Sequence, residues 1–378
     1  MASFVGDNRF SGMGTWTHAI AAELRGAGHE VTLWFADNFP RLWRLRTLAK
    51  LLFPPVLALR IVREASRFDV VVMHEPSGFW YACLRRSLRN LPPLVLMCHN
   101  VESRNLHDLC VAANRGLADV PLATRIKGPL FRLWQSDGAI RRADHVVCLS
   151  RPDKQYIVDK LGRADADVTV MINGVGPEDL VEQREYPAEA RRVLFVGGWF
   201  NVKGIFLLPR LWSRVRQKFP DASLTLVGTH ERDDVVLSAF AHDDRGSVTN
   251  IALLHDRADM RRQYVSHDIC LMPSLSEGSP LSLLEAMAAG MPVVATAVGG
   301  ISQIVTDGCD GLLFPSMDEQ DGARRVCVLM QDAALRRRLG QAARERAGAL
   351  SWCASARTLL GCIERAVAAG APRPRTSL

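Results

Sequence analysis

Two carboxylates eight residues apart, Glu277 and Glu285, lie in a stretch of turn residues and apolar side chains. Glu277 falls in a loop rich in serine, proline and glycine, and Glu285 falls in a pattern typical of a helix. Carboxylates accept hydrogen bonds from hydroxyl groups, and the free amides at the start of a helix bind anions. These residue types therefore favour a site for a phosphorylated ligand.

The elements that would position the two glutamates are two strands and one helix. Ile269–Met272 and Val293–Ala297 are predicted to be buried strands, because each is a short apolar run. A helix is predicted over 280–289, ended by Gly290 and Pro292. The loop then lies at the carboxyl end of the first strand, where open parallel sheets bind ligands.

The helix start supplies the expected contacts to an anion. Pro280 has no amide hydrogen, so the donors are expected to be the next amides, those of Leu281 and Ser282. Ser279, at the end of the loop, is expected to join them.

A second glycine-rich turn lies near the amino terminus. Strands are predicted over Ser3–Val5 and Val31–Ala36, with a polar loop over 6–14 and a helix over 15–26. Gly12 and Gly14 in the loop would let the backbone approach a phosphate. Loops need glycine for other reasons as well, so this motif alone leaves both interpretations open.

Two predicted strands are each followed by a histidine. Asp69–Met73 leads into His74, and Leu94–Cys98 leads into His99. A histidine at the carboxyl end of a parallel strand lies on the side where ligands bind, so both are candidate site residues.

Residues 41–67 form a basic and apolar segment. From Arg41 to Arg63, both included, there are six basic residues and no acidic one. Pro54 and Pro55 are predicted to divide the segment into two short helices. A basic amphipathic helix lies on an anionic membrane surface, but a helix that packs its leucines on a sheet has the same pattern. The sequence leaves both interpretations open.

Composition limits the remaining classes of function. The chain has 378 residues, enough for two domains, and a net charge of +7 without the basic stripe of a nucleic-acid-binding protein. No apolar run is long enough for a membrane helix, and the first ten residues do not resemble a signal peptide, so a cytoplasmic location is expected. The nine cysteines form no C-x-x-C pair, and neither a zinc site nor disulfides are expected.

Strands and helices alternate along the whole chain, which predicts an α/β protein with two doubly wound parallel sheets facing a cleft. The predicted divisions are a first domain over 1–180, a second over 181–350, a helix over 351–370 that packs back on the first domain, and a disordered tail over 371–378.

The order of these motifs resembles the family 4 glycosyltransferases. EGSPLSLLE from Glu277 to Glu285, followed by AMAAGMPVVAT, resembles the E-x7-E motif of that family. The resemblance also covers Gly12–Gly14, Ala143–Val147, Ile172–Val175, Phe195–Gly197 with Lys203 and Gly204, and Val298–Gly300.

The resemblance implies a retaining enzyme of the GT-B fold that uses a nucleotide-sugar donor. Glu285 would hold the donor ribose, Glu277 would contact the donor sugar, and Lys203 would neutralise the pyrophosphate. His99 matches an active-site histidine of the family and is preferred to His74. Gly12, Gly14 and Gly197 would belong to the donor-binding set, and no metal ion or other cofactor is expected.

One position departs from the family pattern. Many members carry an arginine directly after Phe-Val-Gly as a second phosphate contact, and this chain has Gly198 there. Three alternatives remain open for the phosphate contact. Lys203 could act alone, Arg9 or Arg257 could replace the arginine, or the leaving group could be weakly stabilised.

The expected function is sugar transfer from a UDP- or GDP-sugar to an acceptor hydroxyl, on a lipid-linked or cell-envelope glycan. Two alternatives remain open: a nucleotide-sugar epimerase on the same fold, and a catalytically silent glycosyltransferase-like binding protein. The expected location is cytoplasmic, and on the membrane-surface interpretation residues 41–67 would place the enzyme on the inner face of the cytoplasmic membrane.

Overall fold

In the computed structural model, the chain folds as two compact α/β units. The structure describes residues 1–2, 7–9, 11–39, 47–88, 90–116, 132–181 and 184–370. The first unit consists of Met1–Arg104, Pro121–Met171 and Cys353–Leu378, and the second consists of Asn105–Val120 and Ile172–Trp352. The predicted tail over 371–378 and the residues 41–46 of the basic segment lie outside the described residues.

A parallel sheet of four strands organises the first unit. In sheet order its strands are β1 (Val71–His74), β2 (Leu94–Cys98), β3 (His145–Cys148) and β4 (Val168–Val170). Every residue of β1, β2 and β3 is buried, as in parallel sheets covered on both faces. Ala2 adds single parallel bridges to Trp34 and Met73.

A parallel sheet of six strands organises the second unit. Its strands are β5 (Arg192–Val196), β6 (Ser223–Val227), β7 (Val248–Ile251), β8 (Ile269–Met272), β9 (Val293–Thr296) and β10 (Leu312–Phe314). Their order across the sheet is β10-β9-β8-β5-β6-β7. The order reverses between β5 and β8, and a doubly wound sheet binds ligands at the carboxyl ends of the strands at such a switch point.

The helices alternate with these strands, which confirms the predicted α/β class. In the first unit and at its borders they are α1 (Gly12–Gly26), α2 (Thr47–Arg63), α3 (Phe79–Ser87), α4 (Glu102–Asn114), α5 (Trp134–Arg142), α6 (Arg151–Leu161) and the C-terminal helix α14 (Trp352–Gly370). In the second they are α7 (Leu208–Lys218), α8 (Asp233–Ser238), α9 (Arg257–Ser266), α10 (Leu281–Ala288), α11 (Ile301–Ile304), α12 (Glu319–Gln331) and α13 (Ala333–Gly348).

Helix α1 begins three residues earlier than predicted. Ser11 is its N-cap, and the Ser11 hydroxyl accepts a hydrogen bond from the amide of Gly14 at 3.1 Å. Gly12 and Gly14 therefore lie in the first helical turn rather than in a loop. A β-carbon at Gly14 would lie 1.8 Å from the carbonyl oxygen of Asn8, so that position requires glycine.

Helix α2 runs without a break through Pro54 and Pro55, so the prediction of two short helices is wrong. Its inner face packs into the core of the first unit, and this tertiary packing outweighs the local preference of proline for a helix end. Its outer face exposes Leu52, Val56 and Leu59, with 37%, 36% and 53% of their surfaces accessible. The inner face consists of Phe53, Leu57, Ala58 and Ile61, each at most 1% exposed.

Two predicted strands differ in the structure. Trp34 alone makes a bridge within Val31–Ala36, and residues 36–38 form a 3-10 turn. The apolar run Ile251–Leu254 also predicts a strand, but the strand there is β7, which ends at Ile251 opposite the end of its partner β6 at Val227. The predicted strand Ser3–Val5 lies outside the described residues.

The C-terminal helix α14 belongs to the first unit from Cys353 onward. Its Arg365 donates a hydrogen bond to the hydroxyl of Thr169, in β4, at 3.1 Å. In the described part of the chain, no helix combines the length and the apolar character needed to cross a membrane.

Candidate functional site

The loop between β8 and α10 lies at the switch point of the second sheet. Pro280 is the N-cap of α10, and no side chain of the described residues caps this helix. The first helical hydrogen bond runs from the Leu284 amide to the Pro280 carbonyl at 3.3 Å. The amides of Leu281 and Ser282 therefore lack helical acceptors, as the sequence predicts for an anion site.

Glu277 and Lys203 form an ion pair beside this helix start. The Lys203 Nζ donates to Glu277 Oε1 at 2.7 Å, and the Ser274 hydroxyl donates to the same oxygen at 2.8 Å. Glu277 is only 6% exposed, whereas the Lys203 side chain keeps 25% of its surface accessible. The structure thus brings two of the predicted catalytic residues into direct contact.

Glycine backbones hold both partners of this ion pair in place. A β-carbon at Gly204, which follows Lys203 and has a φ of +75°, would lie 1.9 Å from the carbonyl oxygen of Pro273. A β-carbon at Gly299, at a φ of +49°, would lie 1.9 Å from the carbonyl oxygen of Glu277. The Gly300 amide donates to that same carbonyl at 3.0 Å. The loop that carries Glu277 therefore depends on close contact with glycine backbone.

Glu285 lies one turn into α10, within a polar cluster of the second unit. The Tyr264 hydroxyl donates to Glu285 Oε2 at 2.8 Å, and Arg257 lies 3.9 Å from Oε1. Arg257 itself is bound to Asp179 at 2.8 Å. Burial raises the pKa of the Glu285 carboxyl to about 7, and the charge of Asp179 acts in the same direction. The hydrogen bond from Tyr264 and the charge of Arg257 oppose that rise.

Ser279 is held by Asn173, which the sequence indicates only as part of a family motif. The Asn173 amide donates to the Ser279 hydroxyl at 3.0 Å, and Asn173 Nδ2 donates to the Ser279 carbonyl at 2.7 Å. Both residues are buried. Asn173 therefore fixes the end of the loop, and a ligand contact of Ser279 remains a prediction.

The turn after β5 carries Gly197 and Gly198. The Gly197 amide donates to the Val227 carbonyl at 2.9 Å, so that amide is not free for a ligand. A β-carbon at Gly198 would lie 2.3 Å from the ring of Phe200, which is 58% exposed. An arginine at position 198 would require that ring to move. Phe200 therefore occupies space that the arginine of other family members would need.

Two histidines meet in the first unit. His74 ends β1 and is 1% exposed, and His99 follows β2 and is half-buried. Nδ1 of His74 and Nε2 of His99 are 2.7 Å apart, and the indole of Trp16 contacts both rings edge-on. Burial lowers the pKa of His99 to about 4 and holds the pKa of His74 well below its usual range, so both rings are neutral at pH 7.

Glu75, next to His74, was not singled out from the sequence. Its carboxylate accepts hydrogen bonds from the Ser136 hydroxyl and from the Glu102 amide. Burial, together with the charge of Glu102, raises the pKa of the Glu75 carboxyl to about 7. The signal available in the sequence was a carboxylate directly after a buried strand.

Other sequence predictions are placed as follows. Gly14 contributes its amide to the cap of α1, and Gly12 begins that helix. Arg257 lies at Glu285. All nine cysteines are free thiols. In the ranges that the structure describes, no group of three histidine, cysteine or acidic side chains is arranged for a metal ion. Metal independence of the reaction remains a prediction.

Two family models match the chain. The model described as Glycosyltransferase Family 4 matches residues 10–179. The model described as Glycosyl transferases group 1 matches residues 190–332.

Named relatives agree with these models. The D-inositol 3-phosphate glycosyltransferase of Stackebrandtia nassauensis is 32% identical over 344 residues, which cover 85% of this chain and 74% of the relative. Sucrose-phosphate synthase of Thermosynechococcus elongatus superposes with a TM-score of 0.74 at 20% identity, covering 98% of this chain and 99% of that chain. Anabaena HepE, solved with UDP and glucose, superposes with a TM-score of 0.65 at 19% identity, covering 96% and 98%. The predicted GT-B fold is thereby confirmed.

The contact between Gly299 and Glu277 gives a testable prediction. Gly299→Ala should weaken the binding of the predicted donor, a nucleoside diphosphate sugar, about tenfold or more, because the new methyl group displaces the Glu277 backbone. Isothermal titration calorimetry measures the affinity, and thermal unfolding measures the cost in stability.

Gly308→Ala is the matched control. Gly308 also has a positive φ, of +74°, but a β-carbon there would meet nothing within 4 Å. This variant should lose about 1 kcal/mol of stability and keep its affinity. Equal weakening of binding in both variants would show that backbone strain, rather than the Glu277 contact, is responsible.

Proposed function

Because this chain belongs to the family 4 glycosyltransferases, we propose that it moves a sugar from a nucleoside diphosphate sugar to an acceptor hydroxyl and retains the α configuration. One observation carries the proposal. The uncapped start of α10 lies between two carboxylates, Glu277 and Glu285, and each has its own hydrogen-bonding partner. This arrangement offers separate contacts for a sugar, a diphosphate and a ribose.

The diphosphate is proposed to bind at the start of α10. Amides of Leu281 and Ser282 donate to phosphate oxygens there, where the helix dipole favours negative charge. The exposed part of Lys203 supplies a positive charge as the diphosphate leaves. With glycine at position 198, Lys203 and the helix start carry this stabilisation in the second unit. Catalysis then depends on positioning and on fixed electrostatic groups rather than on a covalent step assigned to these residues.

The two glutamates are proposed to hold the ends of the donor. Glu285 accepts hydrogen bonds from the ribose hydroxyls, with Tyr264 fixing the carboxylate. Glu277 contacts the donor sugar and stays bound to Lys203. His99, in the first unit, is proposed to contact a hydroxyl in the reaction. The nucleotide is of the UDP or GDP type, and the presence of UDP in HepE supports UDP as the first donor to test.

The acceptor is proposed to be a lipid-linked or cell-envelope glycan, and the enzyme is proposed to lie on the inner face of the cytoplasmic membrane. The support is the outer face of α2, where Leu52, Val56 and Leu59 are exposed next to the exposed Arg63. Such a ridge matches an anionic lipid surface in charge and in apolar character. Arg60, in contrast, lies over the rings of Trp34 and Phe39 within the protein. An inositol phosphate should also be tested as the acceptor, because the S. nassauensis relative is named for it.

Donor binding should depend on pH through Glu285. Since its pKa is raised to about 7, the carboxyl gains a proton as the pH falls through 7 and loses acceptor capacity for ribose hydroxyls. Affinity for the UDP- or GDP-sugar should therefore fall up to about tenfold per pH unit below 7. Titration calorimetry from pH 6 to 8 measures this dependence, after a thermal-shift screen with UDP, GDP and ADP has identified the base.

Glu285→Gln is the companion variant for this titration, because it keeps the side-chain shape and cannot ionise. It should bind the donor weakly, and its affinity should not change with pH over the same range. A slope equal to that of the wild type would assign the titrating group elsewhere, and unchanged affinity would remove Glu285 from the donor site.

Membrane binding should depend on the outer ridge of α2. Replacing Leu52, Val56 and Leu59 together by serine should reduce cosedimentation with anionic vesicles about tenfold, since three exposed apolar side chains are lost. The core face of the helix is left intact, so the fold should persist in circular dichroism.

The control replaces three equally exposed residues elsewhere, Val235, Val265 and Val367, by serine. This control should cosediment like the wild type. If the α2 variant and the wild type bind vesicles equally, or neither binds, the ridge has no membrane role, and the inner packing of α2 accounts for its pattern.

A further inference from the structure

We propose that His74 is a positioning residue for His99. In this proposal it binds the Nε2–H of His99, so that the Nδ1 lone pair of His99 is presented to a sugar hydroxyl. The proposal rests on the proposed function only in assigning His99 to the reaction. The proton arrangement itself follows from contacts within the first unit.

The two rings are fixed by their surroundings. Their planes are nearly parallel, at 6°, with centroids 4.8 Å apart. Trp16 stands perpendicular to both, with centroid distances of 5.1 Å to His74 and 5.2 Å to His99. Trp16 and His74 are at most 1% exposed, so neither ring can turn without disturbing the core.

The direction of the hydrogen bonds is set by Thr17. Its hydroxyl donates to the Met13 carbonyl at 2.8 Å, the usual bond of a helical threonine to the preceding turn. The single hydroxyl proton is thereby used, and the oxygen that faces His74 Nε2 at 3.4 Å can only accept. His74 therefore carries its proton on Nε2 and has its lone pair on Nδ1.

That lone pair determines the state of His99. Because His74 Nδ1 accepts, the proton in the 2.7 Å contact belongs to Nε2 of His99. Both rings are neutral at pH 7, since burial lowers both pKa values. A neutral imidazole protonated on Nε2 has its lone pair on Nδ1, and within the described residues no group donates to that atom.

The tautomer of His99 decides which hydrogen bond this residue can make to a substrate. A His99 with its lone pair on Nδ1 accepts a hydrogen bond from a hydroxyl of the donor sugar or of the acceptor, whereas the opposite tautomer would present an N–H to the same group. His74 thus selects the tautomer in the way that residues beyond the ligands select it in metal-bound histidines. This role gives a function to the buried His74, which lies outside the motifs quoted for the family.

Two substitutions at His74 test the proposal. His74→Asn places an acceptor oxygen near the position of Nδ1, whereas His74→Phe keeps a ring and removes the acceptor. His145→Phe is the matched control, a buried histidine on β3 of the same sheet that contacts Thr169 instead. Nitrogen-15 NMR of the unliganded proteins reports which nitrogen of His99 carries the proton, and steady-state kinetics report kcat and KM.

In the wild type and in His74→Asn, His99 should be protonated on Nε2. In His74→Phe the tautomers should mix, and kcat should fall about tenfold, the effect of one oriented hydrogen bond, with the donor KM unchanged. His145→Phe should keep both the tautomer and kcat.

Protonation of His99 on Nδ1 in the wild type, or equal kcat in the Asn and Phe variants, would overturn the proposal. The NMR measurement needs no substrate, so its result is independent of the proposed function. If no donor is turned over but His74 fixes the tautomer, the proposed function fails and the hydrogen-bond assignment survives. An active enzyme with His99 protonated on Nδ1 would instead keep the proposed function and remove the positioning role of His74.

Discussion

The buried ion pair between Glu277 and Lys203 is the contact on which the second unit's site depends. Glu277 follows β8 and Lys203 follows β5, so the pair joins the two strands where the order of the sheet reverses. A buried carboxylate is costly unless it is hydrogen-bonded, and Ser274 adds a second hydrogen bond to the Oε1 atom that Lys203 binds. Removing one partner of a fully buried pair costs about 3–5 kcal/mol. The cost here is smaller, because Lys203 keeps a quarter of its side-chain surface exposed.

The surrounding backbone is arranged so that this ion pair has a single geometry. Gly204 approaches Pro273, and Gly299 approaches Glu277, at distances that no residue with a β-carbon allows. Asn173 fixes Ser279 at the other end of the loop. The loop is therefore held at both ends before any ligand arrives, which is the preorganisation that transition-state stabilisation requires. The uncapped start of α10 then keeps amide donors that no helical acceptor uses.

Local patterns predicted the corner well and its long-range partners poorly. Turn residues and an apolar run were sufficient to place the loop, the helix start and the two glutamates. The contact of Lys203 with Glu277 spans 74 residues and depends on strand order, which no local pattern contains. Tyr264 has the spacing of an ordinary core aromatic, so its bond to Glu285 could not be predicted.

The errors have physical causes as well. The cap by Ser11 moved Gly12 and Gly14 from a loop into a helix, although glycine disfavours helices. In α2, core packing of Phe53 and Leu57 kept the helix intact through two prolines. In both cases a specific contact outweighed a local propensity. The histidine pair shows the same limit, since two strand ends were identified from the sequence while the 2.7 Å contact between them required the register of β1 with β2.

The α10 corner is proposed to hold a nucleotide sugar whose sugar is transferred with retention, and the roles proposed for Glu277, Glu285 and Lys203 depend on this proposal. The most direct test is the anomeric configuration of the first product, followed by proton NMR during turnover of an α-linked donor. The expected result is an α-linked product that forms only with acceptor present. A β-linked product would contradict retention, and a donor whose sugar is epimerised without transfer would contradict sugar transfer altogether.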